Sequence, residues 1–195
     1  LGDVYKRQVD INDAGLRSSV QNGILNTELG IPFRTPAEGH NVAFTSLWGN
    51  YPDSLEIPLK GKASRAYLLM AGSTNHMQCH IDNGVIRIYY KDGTRDVMFL
   101  RNPDNWPPIE HIFFEDGLAF NRHTPALYRL RLKTGEISNN FGEELGFPGA
   151  SRELDGGAAV LLEMPLNPGK KLSHLVLETL SNDVVIGLMS ITLQR

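Results

Sequence analysis

The residues with the most reactive side chains lie between Ser73 and Thr94, in the stretch STNHMQCHIDNGVIRIYYKDGT, where His76, Cys79 and His80 fall within five positions. Imidazole and thiolate are the usual ligands of zinc and copper. On a helix, positions i, i+3 and i+4 share one face and the three groups converge on a single ion. On a strand they do not: Cys79 points away from its neighbours, and His76 and His80 stand roughly 13 Å apart at about 3.3 Å per residue. The local residues favour the strand. Asp82-Asn83-Gly84 is turn chemistry, VIRIYY is β-branched and aromatic, and Lys91-Asp92-Gly93 supplies a second turn before RDVMFL. The expectation is a three-strand meander with no metal bound at these residues and no cofactor.

That meander sets up a different chemistry. With Met77, Cys79 and Ile81 facing the core, His76, Gln78 and His80 point outward. On the next strand Ile86, Ile88 and Tyr90 turn in, while Arg87 and Tyr89 turn out. A sheet face carrying two His, Gln, Arg and Tyr can hydrogen-bond sugar hydroxyls and stack a ring against a pyranose. The same groups would serve a polysaccharide lyase, Arg neutralising a uronate and His or Tyr moving the proton. The plain alternative is an outer face that is polar because it is wet. A second constellation is aromatic and loop-borne: Trp48-Gly49-Asn50-Tyr51, and Asn102 to Trp106 with Asn105 beside the indole. Aromatic rings next to amides suit sugar recognition, and they suit docking on another domain equally well.

Other catalytic signatures are missing. The chain has no G-x-S-x-G, no H-E-x-x-H, no Walker loop and no dinucleotide-binding glycine pattern. Glu110, Glu115-Asp116, Glu143-Glu144, Glu153 and Asp155 supply carboxylates, but a glycosidase needs two of them facing across a cleft. No catalytic residue is assigned.

The elements that must position these groups read as all-β. Strand-like segments separated by Gly, Pro, Asn and Asp turns fill the chain: NVAFTSL, DSLEIPL, SRAYLLMAG, MQCHI, VIRIYY, RDVMFL, HIFF, ALYRLRL, AAVLLEM, HLVLETL and VVIGLMSITL. A short helix fits only around Phe141 to Leu145. Tyr128, Leu130 and Leu132 alternate with Arg129, Arg131 and Lys133, as in a strand with one wet face. AAVLLEM and VVIGLM are apolar on both faces, as central strands covered on each side would be. Pro103, Pro107 and Pro108 exclude RNPDNWPPIE from a central strand. Residues 135–157 form a long connection of unassigned role.

At 195 residues, with 41% hydrophobic and 21% charged residues, the chain suits one domain with one sizeable core. A net charge of -3 without a basic run argues against nucleic acid, and no apolar run approaches a membrane span. The single cysteine, Cys79, excludes an internal disulfide and suits a small core position. The opening LGDVYKRQ lacks an initiator Met and resembles an adapter-derived leader of translated metagenomic reading frames. Residues 1–8 are therefore set aside, and 9–195 are expected to form one sandwich domain, the C-terminal module of a longer protein.

Three stretches together resemble a known family: GIPF at Gly30 to Phe33 after VDINDAGLRSS, SLEIPLKGKASRAYLLMAGS, and GVIRIYYKDGTRDVMFLRNPDNW. They are similar to the galactose-binding-like jelly-roll modules attached to bacterial glycoside hydrolases and related carbohydrate-degrading proteins. Trp106-Pro107-Pro108 departs from the commoner pattern, in which a second Trp often follows the first. The resemblance implies an antiparallel β-sandwich of jelly-roll type and a non-catalytic accessory role, binding glycan or docking on the catalytic domain of the same chain. A purely structural interdomain module and a small jelly-roll lyase are the alternatives. It further implies a periplasmic or extracellular setting and allows a calcium ion, for which Asp10, Asn12 and Asp13 form the nearest acidic cluster. His76, Gln78, His80, Arg87, Tyr89, Trp48, Tyr51, Asn105 and Trp106 are the candidate ligand-binding residues.

Overall fold

The computed structural model describes residues 10–75, 77–111, 121–141 and 153–195. A short helix, α1 (Ala14–Ser18), precedes thirteen strands: β1 (Val20–Gln21), β2 (Ile24–Asn26), β3 (Pro32–Arg34), β4 (Ala43–Ser46), β5 (Ser54–Pro58), β6 (Arg65–Thr74), β7 (Gly84–Tyr90), β8 (Arg95–Leu100), β9 (Arg129–Arg131), β10 (Ile137–Ser138), β11 (Ala158–Pro165), β12 (Leu172–Thr179) and β13 (Val184–Gln194). All ladders between these strands are antiparallel. One sheet runs β10-β9-β11-β6-β13-β4, and a second runs β5-β12-β7-β8. Consecutive strands alternate between the two sheets from β4 to β7 and again from β11 to β13, which is the strand order of a jelly roll. The expected fold class is therefore the one observed.

The core follows from the side-chain alternation. Ala66, Leu68 and Met70 of β6, Val160 and Leu162 of β11, and Ile186 and Leu188 of β13 face Ile86 and Ile88 of β7 and Leu175 and Leu177 of β12 across the sandwich. Burying each of the Val, Leu, Ile and Met side chains among them contributes about 1.5–3 kcal/mol before entropy is counted. The apolar residues left on the far side of the larger sheet, Leu69, Ala71, Ala159, Leu161 and Met189, are covered by Leu16 of α1, Leu25 of β2 and Phe33 of β3. Strands apolar on both faces are thus explained by a third layer, the small sheet β1-β2-β3 with its helix. At Gly15 a Cβ would fall 2.3 Å from the Lys133 carbonyl oxygen, so glycine lets α1 seat against the β9–β10 turn.

Two features depart from the sequence reading. MQCHI is not a strand: residues 77–83 form a loop ahead of β7. Strand β7 lies between β12 and β8, so neither of its edges is free to accept a hairpin partner on its N-terminal side. The loop is knotted instead around buried Asn83, whose amide donates to the carbonyls of Gln78 (3.2 Å) and Ile81 (3.0 Å) and accepts from the Thr74 hydroxyl. As a result Met77 is 83% exposed and Ile81 is also on the surface, not in the core. Second, Arg129 is not on a wet face. It is buried and donates to the carbonyls of His111, Pro108 (2.9 Å), Ile109 (3.2 Å) and Ala158 (3.0 Å). Burial pulls its guanidinium pKa down to about 10, so it stays charged at neutral pH. Residues 1–8, most of HIFF, the helix expected beyond Phe141, Glu115-Asp116 and Glu143-Glu144 lie outside the described residues.

Candidate functional site

The registers put Ser46, Ser54, Thr74, Gly84, Leu100, Thr179 and Val184 at the same end of the sandwich. The loops that leave these positions therefore share one end, and they are tied to each other. Asn75 donates its backbone N–H to the Asp183 carbonyl (3.1 Å), Leu180 to that of Asn83 (3.0 Å), and Thr179 to that of Asp53 (2.9 Å). The Gln78 side chain donates to the Asn182 carbonyl (2.6 Å) and the Ser181 hydroxyl to the Asp82 carbonyl (2.8 Å). Rigid strands thus hold a cross-linked set of loops, the arrangement on which binding residues are commonly carried.

The described candidate residues are distributed over four places. Trp48 and Tyr51 lie on the β4–β5 loop of this end. Trp48 is 49% exposed, Leu47 and Phe44 are also exposed, and the Tyr51 ring meets Phe44 edge-on with centroids 6.2 Å apart. The loop closes through the Tyr51 N–H on the Trp48 carbonyl (3.0 Å) and the Trp48 N–H on the Ser46 hydroxyl (3.3 Å). The loop thus carries exposed Leu47, Trp48 and Asn50 in the chain between the two members of the Phe44–Tyr51 ring pair.

Arg87 and Tyr89 lie on the outer face of the smaller sheet, as their alternation with Ile86, Ile88 and Tyr90 requires. Their chemistry is already engaged. Arg87 pairs with Glu178 of β12, and the Tyr89 ring stacks on His174 at 4.6 Å with the planes 15° apart. The Arg95 guanidinium donates to the Tyr89 hydroxyl (3.1 Å) and lies over the same ring. A pyranose would have to displace these partners to stack there.

The 101–111 loop separates its residues. Trp106 is 1% exposed and belongs to the central core, so the reading of an exposed indole here is corrected. The cause is local packing: Gly72 of β6 leaves room for the ring, where a Cβ would stand 2.8 Å from the Trp106 Cζ2. Asn105 is spent on its own turn, accepting from the Arg101 N–H (2.7 Å) and donating to the Phe99 carbonyl (2.8 Å).

His76 lies outside the described residues, and Gln78 and His80 do not share a strand face because residues 77–81 are not a strand. His80 adopts a left-handed backbone conformation (φ 57°), fixed by its N–H on the Asn102 carbonyl (2.7 Å). This turns its ring toward two residues that spacing alone did not single out. His80 Nδ1 lies 3.8 Å from the Asp104 Oδ2, His123 Nδ1 lies 3.5 Å from the same oxygen, and the imidazole centroids are 4.7 Å apart. Only long-range chain return brings these three together, so no local motif announces them. Two of the three residues considered for calcium are used internally: Asp13 pairs with Arg17 (2.8 Å) and accepts from Asn41 (3.0 Å), which together hold its carboxyl below the ordinary range, while Asn12 caps the Ala14 N–H (3.0 Å).

No helix among the described residues is long and apolar enough to cross a membrane. No family model, no curated protein and no solved structure matches the chain.

Proposed function

We propose that this domain is a non-catalytic accessory module of a carbohydrate-active protein, and that it engages a glycan through the aromatic patch of its loop end. The observation that carries the reading is Trp48, half exposed on a loop whose backbone is closed by its own hydrogen bonds, with Phe44, Asn50 and Tyr51 around it in the chain. An indole in water forgoes burial, and the C–H face of a pyranose restores it while neighbouring amides take the hydroxyls. A pre-closed loop loses little freedom on binding. The outer-face residues Arg87 and Tyr89 contribute less in this account, because each already has a partner. The resemblance to galactose-binding-like modules points to the same ligand class, to a catalytic domain as neighbour and to a periplasmic or extracellular setting.

The test is retention on a panel of immobilised neutral and uronate polysaccharides. Wild-type protein is expected to be retained on at least one, Trp48→Ala to bind that polymer about tenfold more weakly, a loss of roughly 1.4 kcal/mol, and Tyr89→Ala to bind within twofold of wild type. Retention on none, or equal retention of Trp48→Ala, overturns the reading. Release of unsaturated sugar from a uronate polymer would make the domain a lyase instead.

A further inference from the structure

Beyond glycan engagement, and independently of it, we propose that His80, Asp104 and His123 form a binding site for a divalent transition-metal ion of the zinc type. Three ligand atoms, one from each residue, lie within 4.8 Å of one another. The Asp104 Oδ2 stands 3.5 Å from one Nδ1 and 3.8 Å from the other, too far for the hydrogen bonds that a His–Asp pair ordinarily makes. Those separations suit something between them. Ligands at about 2.0–2.1 Å from a tetrahedral zinc lie about 3.4 Å from each other, so side-chain rotations of less than about 1 Å close the set around an ion.

The surroundings orient the ligands. The other Asp104 oxygen accepts the backbone N–H of His123 (2.7 Å), and the Asp104 carbonyl accepts the Thr124 hydroxyl (2.8 Å). The carboxylate is thereby aimed, and His123 is tied to it, in the manner of the outer partners that hold metal ligands in place. The His80 Nδ1 is shielded from solvent yet has no hydrogen-bond partner among the described residues, although burying a polar atom unpaired costs about 1–3 kcal/mol. His80 is also held at positive φ, a conformation that non-glycine residues adopt at some energetic cost. A strained backbone that delivers an unpaired nitrogen to a carboxylate and a second imidazole is accounted for by an ion, which takes the free lone pair.

The donor set selects the class of ion. Two imidazole nitrogens and one carboxylate oxygen suit zinc and its first-row neighbours, whereas calcium takes six to eight oxygens and magnesium an octahedron of them. Three protein ligands leave a fourth position, and it opens to solvent, because His123 is 64% exposed. The ion would clip together the 77–83 loop, the 101–111 loop and the segment around His123, and would keep one exchangeable site on the loop end.

Tag-free protein, freed of metal by chelator and dialysed, is titrated calorimetrically with zinc chloride. One equivalent is expected to bind, the thermal midpoint to rise with zinc, and millimolar magnesium or calcium not to compete. His123→Ala and Asp104→Asn should each weaken zinc binding at least tenfold. His123 is mostly exposed, so its variant is expected to keep the fold, and matching far-ultraviolet circular dichroism with wild type verifies this. No binding of one equivalent up to millimolar zinc overturns the proposal. So does binding that survives either substitution, since His40, His76, His111 and His174 could then be the ligands.

Discussion

Removing the Trp106 side chain tests the packing account, because the same residue reads from the sequence as a surface ligand. The indole is 1% exposed in the cluster between the two sheets, and its six-membered ring lies against Gly72 of β6. Truncating a buried Trp or Phe to Ala costs about 3–5 kcal/mol, from lost transfer energy plus the cavity left behind. For a chain of this size, each kcal/mol lowers the midpoint by about 2–4 °C, so Trp106→Ala should melt roughly 6–20 °C below wild type. Part of that loss is offset, because the indole N–H has no partner among the described residues and its removal relieves an unpaired donor. Trp106→Phe keeps most of the ring, sheds the same donor, and should be distinctly milder than Trp106→Ala. Urea unfolding followed by far-ultraviolet circular dichroism gives both differences. An exposed tryptophan would change stability by no more than about 0.5 kcal/mol, so a Trp106→Ala loss below 1 kcal/mol would refute the packing argument.

Other expectations follow from hydrogen-bonded polar groups. Arg129→Met removes the side-chain donor to the carbonyls of Pro108, Ile109 and Ala158, of which the first two keep a backbone N–H from His111 (3.3 Å) and Ala158 (2.8 Å), and should cost about 1–3 kcal/mol in the same urea assay. The Tyr90 hydroxyl is pushed up to about 12, first by burial and then by its bond to the Asp96 carboxylate. The unfolded chain loses this proton near 10, so the contribution is complete below pH 10 and is lost as pH rises from 10 to 12. Spectrophotometric titration should find one tyrosine ionising about two units late, and Tyr90→Phe should remove it. Asp92 has its carboxyl pulled down to about 2 by the Thr94 hydroxyl and then by Lys170. Its nuclear magnetic resonance titration should shift upward in Thr94→Val, and the stability it contributes should be present above about pH 4 and fade between 4 and 2.

Period-two alternation made the sandwich legible, and it placed Ile86, Ile88 and Tyr90 inward and Arg87 and Tyr89 outward without error. The doubly apolar strands β11 and β13 announced a cover on the far face, though not its identity: α1 and the two- and three-residue strands β1, β2 and β3 are too short to carry a period. The loop at 77–83 was misread because its residues do have strand propensity, and only the occupancy of both β7 edges forbids the pairing. Arg129 and Trp106 were misplaced for a related reason. Alternation and proline content describe the chain locally, whereas burial of a guanidinium under four carbonyls, or of an indole over a glycine, depends on segments far away in sequence. The His80, Asp104 and His123 grouping is of the same kind, assembled by a left-handed residue and a loop return.

The most direct measurement of the central claim is a titration of 15N-labelled protein with whichever polysaccharide fragment the panel retains. Trp48 and Trp106 are the only tryptophans, so two indole N–H resonances report separately on the loop patch and the core. Glycan engagement through the loop end should move the Trp48 signal progressively to saturation while that of buried Trp106 stays in place. A Trp48 resonance that does not move at saturating fragment, with the shifts gathered instead on Arg87 and Tyr89, would contradict it.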